Sequence, residues 1–154
     1  MTNIVADAEL TKFIKDLVEP LMHCKQLGLT VIAAEKGKLL MALPYSKHIV
    51  GNPDTGIIHG GALTTLLDTA SGFSAIASLE TFEIAPTLDL RIDYMRPATK
   101  DKTVLAHAEA YRITPHVIFA SAFAFHEEDE DRPIARCTAS FMRMKGALGG
   151  GKHG

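Results

Sequence analysis

The spacing of apolar positions predicts the elements in turn. Across residues 7–25, Leu10, Phe13, Ile14, Leu17 and Leu21 recur at intervals of three and four, the signature of an amphipathic helix. Asp7 stands before the first apolar turn as its N-cap, and Pro20 bends or ends the regular part. Residues 29–35 and 38–44 read as two short strands around a turn at Gly37. Residues 60–79 form a long apolar helix. The period then changes to two. Over residues 87–95, Leu88, Leu90, Ile92 and Tyr94 face one way while Asp89, Arg91 and Asp93 face the other, as in a half-buried antiparallel strand. Residues 96–101 make a turn. Three more strands follow at 103–113, 117–126 and 134–144, separated by Thr114-Pro115 and by the acidic loop 127–132.

About six strands, one long central helix and one N-terminal helix define an α+β protein. The later strands carry small residues on one face, Ala106, Ala108 and Ala110, then Ala120, Ala122 and Ala124. Small side chains let a helix lie close, so a curved antiparallel sheet wrapped around the helix at 60–79 is the expected architecture. One domain is expected over residues 1–145, with a flexible Gly-rich tail at 146–154.

Composition narrows the function. Apolar content of 47% with 22% charged residues fits a well-buried globular chain. A net charge of −2 without a basic cluster gives no pull toward nucleic acid. No apolar run reaches membrane-spanning length, and the first residues lack a basic-plus-apolar signal, so a cytoplasmic protein without membrane contact is expected. Cys24 and Cys137 are isolated and lack metal-site spacing, and His107, Glu109, His116 and His126 read as scattered surface residues.

The candidate chemistry lies in residues 51–72, GNPDTGIIHGGALTTLLDTASG. From 55 to 79 there is no Lys, Arg or Glu, and Asp68 is the single acid. At about 100° per residue, Leu63, Leu66, Leu67, Ala70, Phe73, Ser74 and Ala77 share one helix face. Asp68 lies nearly opposite among Thr64, Thr65, Gly72 and Ala75. That face is small and weakly polar rather than charged, so a second subunit is the simplest cover for it. A lone carboxylate there is costly unless it is hydrogen-bonded or lines a wet pocket. Spacing alone leaves two roles open for it, a functional carboxylate or a structural acceptor satisfied by Thr64, Thr65 or backbone N–H groups. His59 likewise reads either as a helix cap or as an acid–base group. The turn His59-Gly60-Gly61 can present backbone N–H groups to an anion or a polarised carbonyl.

The run formed by Asn52, Gly56, His59-Gly60-Gly61 and Asp68, with the acid nine residues after the His, resembles the hotdog-fold acyl-CoA thioesterases. It is most similar to the PaaI-like branch of the 4-hydroxybenzoyl-CoA thioesterase superfamily. Residues 85–98, APTLDLRIDYMRPA, resemble the strand that follows the central helix in that branch, and the similarity covers residues 29–145. One departure is visible: Asn52 lies seven residues before His59, where several members have six, and Pro53 follows it.

The resemblance implies a catalytic role for Asp68 as general base or nucleophile on a thioester carbonyl, with the Gly60 N–H as oxyanion donor. It further implies that His59 shapes this hole, that Asn52 orients water or substrate, and that the Thr87 hydroxyl assists the carboxylate. Gly61, Thr65, Phe73 and Arg96 are the expected substrate contacts, Phe73 in the acyl pocket with Ile76, Leu79 and Phe82, and Arg96 toward the phosphates of coenzyme A. A homodimer is implied, Gly60 coming from one subunit and Asp68 with Thr87 from the other, with two dimers paired into a tetramer. No cofactor and no metal are called for. Two rivals remain on the same fold. One is a non-catalytic module binding acyl-CoA or acyl carrier protein. The other is a hydratase or dehydratase, which needs a catalytic His with an acidic partner in local motifs absent here.

Overall fold

The computed structural model describes residues 3–146. The expected tail therefore lies outside the described residues, apart from Gly146. Helix α1 spans Ala8–Val18, and the Asp7 carboxylate accepts from the Leu10 N–H at 3.0 Å as its N-cap. Ile14 and Val18 carry its buried stripe. The chain does not continue as one helix to residue 25. Pro20 cannot supply the N–H that would continue the helix, so although Glu19 before it is still αR, a turn intervenes. A separate short helix α2, Met22–Leu27, then closes on Gly28 in the left-handed conformation, φ 73°.

Strand β1 (Thr30–Glu35) and strand β2 (Lys38–Leu43) form the expected hairpin. Between them and the long helix lies a feature the apolar pattern did not predict. Strand β3 (Val50–Asn52) pairs with β4 (Ile57–Ile58) in a small separate ribbon. Helix α3 (Gly60–Ala77) follows, then β5 (Thr87–Tyr94), β6 (Val104–Ile113), β7 (Val117–Phe125) and β8 (Ala135–Met142). The six longer strands make one antiparallel sheet in the order β1-β2-β6-β7-β8-β5.

The sheet curls around α3 in the hotdog arrangement. Ala106, Ala108, Ala122 and Ala124, all essentially buried, let α3 seat Leu63, Leu66, Leu67 and Ala70 against the strands. Leu66 and Leu67 are fully buried, each contributing about 2 kcal/mol by transfer from water. The wrap is wider than a single helix face. Ala75, expected on the weakly polar side, is buried in a second cluster with Ile118, Ala120, Ala139 and Phe141, and Ser71 is buried as well. What remains uncovered on α3 is a strip through Thr64, Thr65, Asp68, Thr69 and Gly72, all half-buried.

Two histidines expected on the surface are interior. His126 accepts from the Thr99 N–H and bonds the Thr103 carbonyl, so it ties the 99–103 turn to the end of β7. His107 packs on Phe123, and burial pushes its pKa below the ordinary value. Beyond β8, Arg143 clasps Glu83 through two N–H groups and donates to the Thr114 carbonyl at 3.0 Å, and the guanidinium holds the Glu83 carboxyl below the usual range. Strand β5 ends the sheet with β8 as its sheet neighbour, and Leu88, Tyr94 and Met95 are each more than half exposed along this edge segment.

Candidate active site

The start of α3 is set by His59. Its backbone is extended, and its ring Nδ1 accepts from the Gly61 N–H at 2.9 Å, which makes it the N-cap. A ring nitrogen that accepts carries no proton there, so this cap uses neutral imidazole. Among the described residues no acceptor meets the Gly60 N–H. One N–H at the positive end of an 18-residue helix is therefore spoken for and its neighbour is available, as an oxyanion site requires. Gly61 has to be glycine for this geometry, because a Cβ there would lie 2.9 Å from His59 Nδ1.

Tyr94 completes the helix start. Its ring lies over Gly60, and its hydroxyl donates to the Gly60 carbonyl at 3.1 Å while also bonding the Thr64 hydroxyl. The alternation of β5 had marked Tyr94 only as an apolar-face residue. Nothing in the spacing shows that the end of β5 crosses the start of α3.

Two turns further along α3, the Thr87 hydroxyl donates to Asp68 Oδ1 at 2.9 Å. Thr87 opens β5, so the strand after the helix delivers the hydroxyl to the carboxylate. Asp68 is half-buried rather than enclosed, and its second oxygen has no protein donor among the described residues. The pair sits at the wall of a cleft of about 260 Å³ lined by Leu21, Gly72, Phe73, Ile76, Ile84 and Phe141. Apart from Asp68 and its threonine neighbours the lining is apolar. Gly72 lets the helix approach β8 here, since a Cβ would come within 3.2 Å of Phe141 Cε1.

The helix start opens on a different cleft of about 510 Å³, lined by His23, His48, Val50, Gly51, His59, Gly61 and Thr65 among others. Thr65 bonds the His23 ring from α2 at 3.1 Å. The sequence-predicted residues thus divide into two groups. Gly60, Gly61, His59 and Thr65 gather at one cleft or its edge, and Asp68, Thr87 and Phe73 at the other. Eight residues of α-helix separate Gly60 from Asp68, a rise of roughly 12 Å. One thioester carbonyl cannot touch both in a single protomer.

Two predicted residues stand apart. Asn52 uses its side-chain oxygen to accept from the Asp54 N–H at 3.0 Å, an Asx turn that the Asn-Pro-Asp sequence favours, and it lines neither cleft. Arg96 donates to the Arg132 carbonyl and to Asp129 at 3.0 Å, half-buried under the 127–132 loop. The Asp68 cleft is also walled by Leu21, which the sequence marked only as an apolar position of the N-terminal helix, and by Ile84, which it did not mark, whereas Leu79 and Phe82 do not line it. Among the described residues no group of three His, Cys, Asp or Glu side chains is placed to hold a metal.

Comparison with known proteins shows the family and the fold. A sequence model of the thioesterase superfamily matches residues 55–132, from the β3–β4 ribbon through α3 to the loop after β7. A putative esterase of Halobacterium salinarum is 34% identical over 90 residues, which are 56% of this chain and 58% of that protein. The medium/long-chain acyl-CoA thioesterase YigI of Salmonella typhimurium is 30% identical over 131 residues, 77% of this chain and 83% of the relative. The chain thus spans little more than half of the halobacterial relative and most of the Salmonella one. A crystal structure from Pseudomonas aeruginosa superposes with a TM-score of 0.80 at 51% identity, over 88% of this chain and 99% of that one. The PaaI protein of the E. coli phenylacetic acid degradation operon shares the fold at 19% identity, with a TM-score of 0.75 over 88% and 96% of the two chains. With the matched segment carrying both the capped start of α3 and Asp68, the chain belongs to the thioesterase superfamily, a family of thioester hydrolases.

Proposed function

We propose that this protein is a cytoplasmic acyl-CoA thioesterase, hydrolysing acyl- or aryl-CoA to free acid and CoA, and that it works as a homodimer with shared sites. The hydrogen-bonded Asp68–Thr87 couple, facing an apolar cleft, carries most of the weight. An apolar wall receives the acyl group, and a carboxylate with one oxygen held and the other open can take a proton from water. In this scheme Asp68 draws a proton from water as the water oxygen attacks the thioester carbon. The oxyanion formed is met by the Gly60 N–H of the second protomer. Collapse breaks the C–S bond, and the thiolate takes the proton back from Asp68. Direct attack by the carboxylate is the alternative within the same site. No metal or cofactor enters either route.

The dimer is supported by the roughly 12 Å between the two halves of the site. It is also supported by the edge strand β5, which ends the sheet with exposed Leu88 and Tyr94 and is followed by exposed Met95. The names of the relatives support a CoA thioester as donor. Cys24 and Cys137 are free, buried thiols, which suits a reducing compartment, and no helix of the described residues is long and apolar enough to cross a membrane.

The test is free-thiol release from a panel of acyl-CoAs, phenylacetyl to long-chain, for wild type and Asp68→Ala, with dimer state checked for both. Loss of turnover by orders of magnitude in a folded, dimeric variant is the expected result. Absence of thiol release from every donor, with acyl-CoA bound equally by both proteins, would instead identify a binding module.

A further inference from the structure

A third cleft, of about 220 Å³, adjoins the helix-start cleft and shares Val50 with it. Tyr45, Lys47, Pro53, Gly56 and Lys100 complete its lining. Neither lysine side chain has an ion-pair or hydrogen-bond partner among the described residues. Asp101, next to Lys100, and Asp54, in the ribbon turn between Pro53 and Gly56, form no ion pair with them among the described residues. By contrast, Lys102 pairs with Glu128, and Arg96 with Asp129.

Both lysines are exposed, and the Lys100 stem is seated against the ribbon turn. Lys100 lays its stem over Gly56, where a Cβ would fall 2.6 Å from Lys100 Cδ and 2.9 Å from Cγ. Gly56 takes a left-handed φ of 72°, and Tyr45 donates to its carbonyl at 2.9 Å. The missing side chain at 56 is therefore what lets the lysine lie across the ribbon turn. From Gly56 to Gly60 the chain can span no more than about 14 Å. Lys100, whose stem lies on Gly56, is thus within one pantetheine arm of the free N–H at the helix start, and Lys47 lines the same cleft.

We propose that the Lys47–Lys100 cleft binds phosphate groups of coenzyme A, so that the pantetheine arm runs past Val50 to the start of α3. The proposal rests on the thioesterase reading and adds to it the part of the donor that the catalytic groups never touch. Arg96, which the resemblance suggested for this task, is already engaged by the 127–132 loop.

The experiment compares one acyl group carried on CoA, on 3′-dephospho-CoA and on pantetheine, with wild type and the double variant Lys47→Met, Lys100→Met. Methionine keeps the apolar stem over Gly56 and removes the charge. For acyl-CoA the variant should raise KM about tenfold, roughly half a decade for each exposed charge contact, with kcat unchanged. Acyl-pantetheine, which has no phosphate, should be handled equally by both proteins. A dephospho donor as poor for wild type as acyl-CoA is for the variant assigns the cleft to the 3′-phosphate. A dephospho donor that still distinguishes the two proteins assigns it to the diphosphate. An unchanged KM for acyl-CoA, or an equal loss on acyl-pantetheine, overturns the proposal while leaving the thioesterase intact. If wild type hydrolyses none of the three, the thioesterase reading fails, and calorimetric titration with CoA decides the cleft. Binding weakened about tenfold in the variant upholds it, and equal or absent binding rejects it.

Discussion

Replacing Thr87 by valine removes one hydroxyl and little else, since the two side chains have nearly the same shape. What is lost is the 2.9 Å hydrogen bond to Asp68 Oδ1. A hydrogen bond to a charged acceptor contributes about 1.5–3 kcal/mol when buried. Thr87 is exposed and Asp68 half-buried within the protomer, so water can partly replace the donor. About 1 kcal/mol is then the appropriate figure, which corresponds to a roughly fivefold fall in kcat. Thermal stability should hardly move, because both ends can be resolvated on the cleft wall. Thr87→Ser restores the donor and should recover most of the rate. The assay is thiol release at saturating acyl-CoA for the three proteins, with melting temperatures recorded in parallel. Valine and serine variants of equal activity would refute the orienting role of the hydroxyl. A valine variant that loses stability as much as activity would mark a structural role for the bond instead.

Gly61→Ala would place a Cβ 2.9 Å from His59 Nδ1, so the ring must swing away and give up the cap. Cap loss costs about 1 kcal/mol and the helix gains about as much from alanine, so stability should change little while turnover drops several-fold; full activity would show that the cap does not hold the oxyanion site. For pH dependence, burial, together with the positive charge of Lys38, lowers the pKa of His107 below its ordinary value, more than the carboxylates of Glu109, Glu130 and Glu35 raise it. The unfolded chain then binds the proton more readily, so stability is full above pH about 6.5 and falls as pH drops below it, by at most about 1.4 kcal/mol per unit. His107→Phe should flatten that part of a melting curve series from pH 7.5 to 5; superimposable profiles for the two proteins would contradict it.

Much of the fold was legible because its signals are local. The alternation of β5, the spacing of three and four in α1 and the alanine faces of β6 and β7 are each written within about ten residues. The interruption at Pro20 was legible as a bend or an end, but the return to a short helix α2, closed by left-handed Gly28, was not. The β3–β4 ribbon escaped notice because strands of two and three residues carry no period. Ala75 was misjudged for a related reason: a helical wheel assumes one buried face, whereas the curled sheet covers α3 on more than one side.

The site divides in the same way. The sequence by itself determined the chemistry available: a single acid in an uncharged helix, a capped Gly-Gly start and a hydroxyl opening the next strand. These depend on residue type and short spacing, which the chain fixes without reference to distant contacts. Tertiary structure decided which of these groups meet. It joined Thr87 to Asp68, laid Tyr94 over Gly60, and occupied Arg96 and Asn52 elsewhere. It also put the carboxylate and the helix start on separate clefts. Such meetings depend on how the sheet curls and where strands cross the helix, and that follows from packing across residues far apart in sequence.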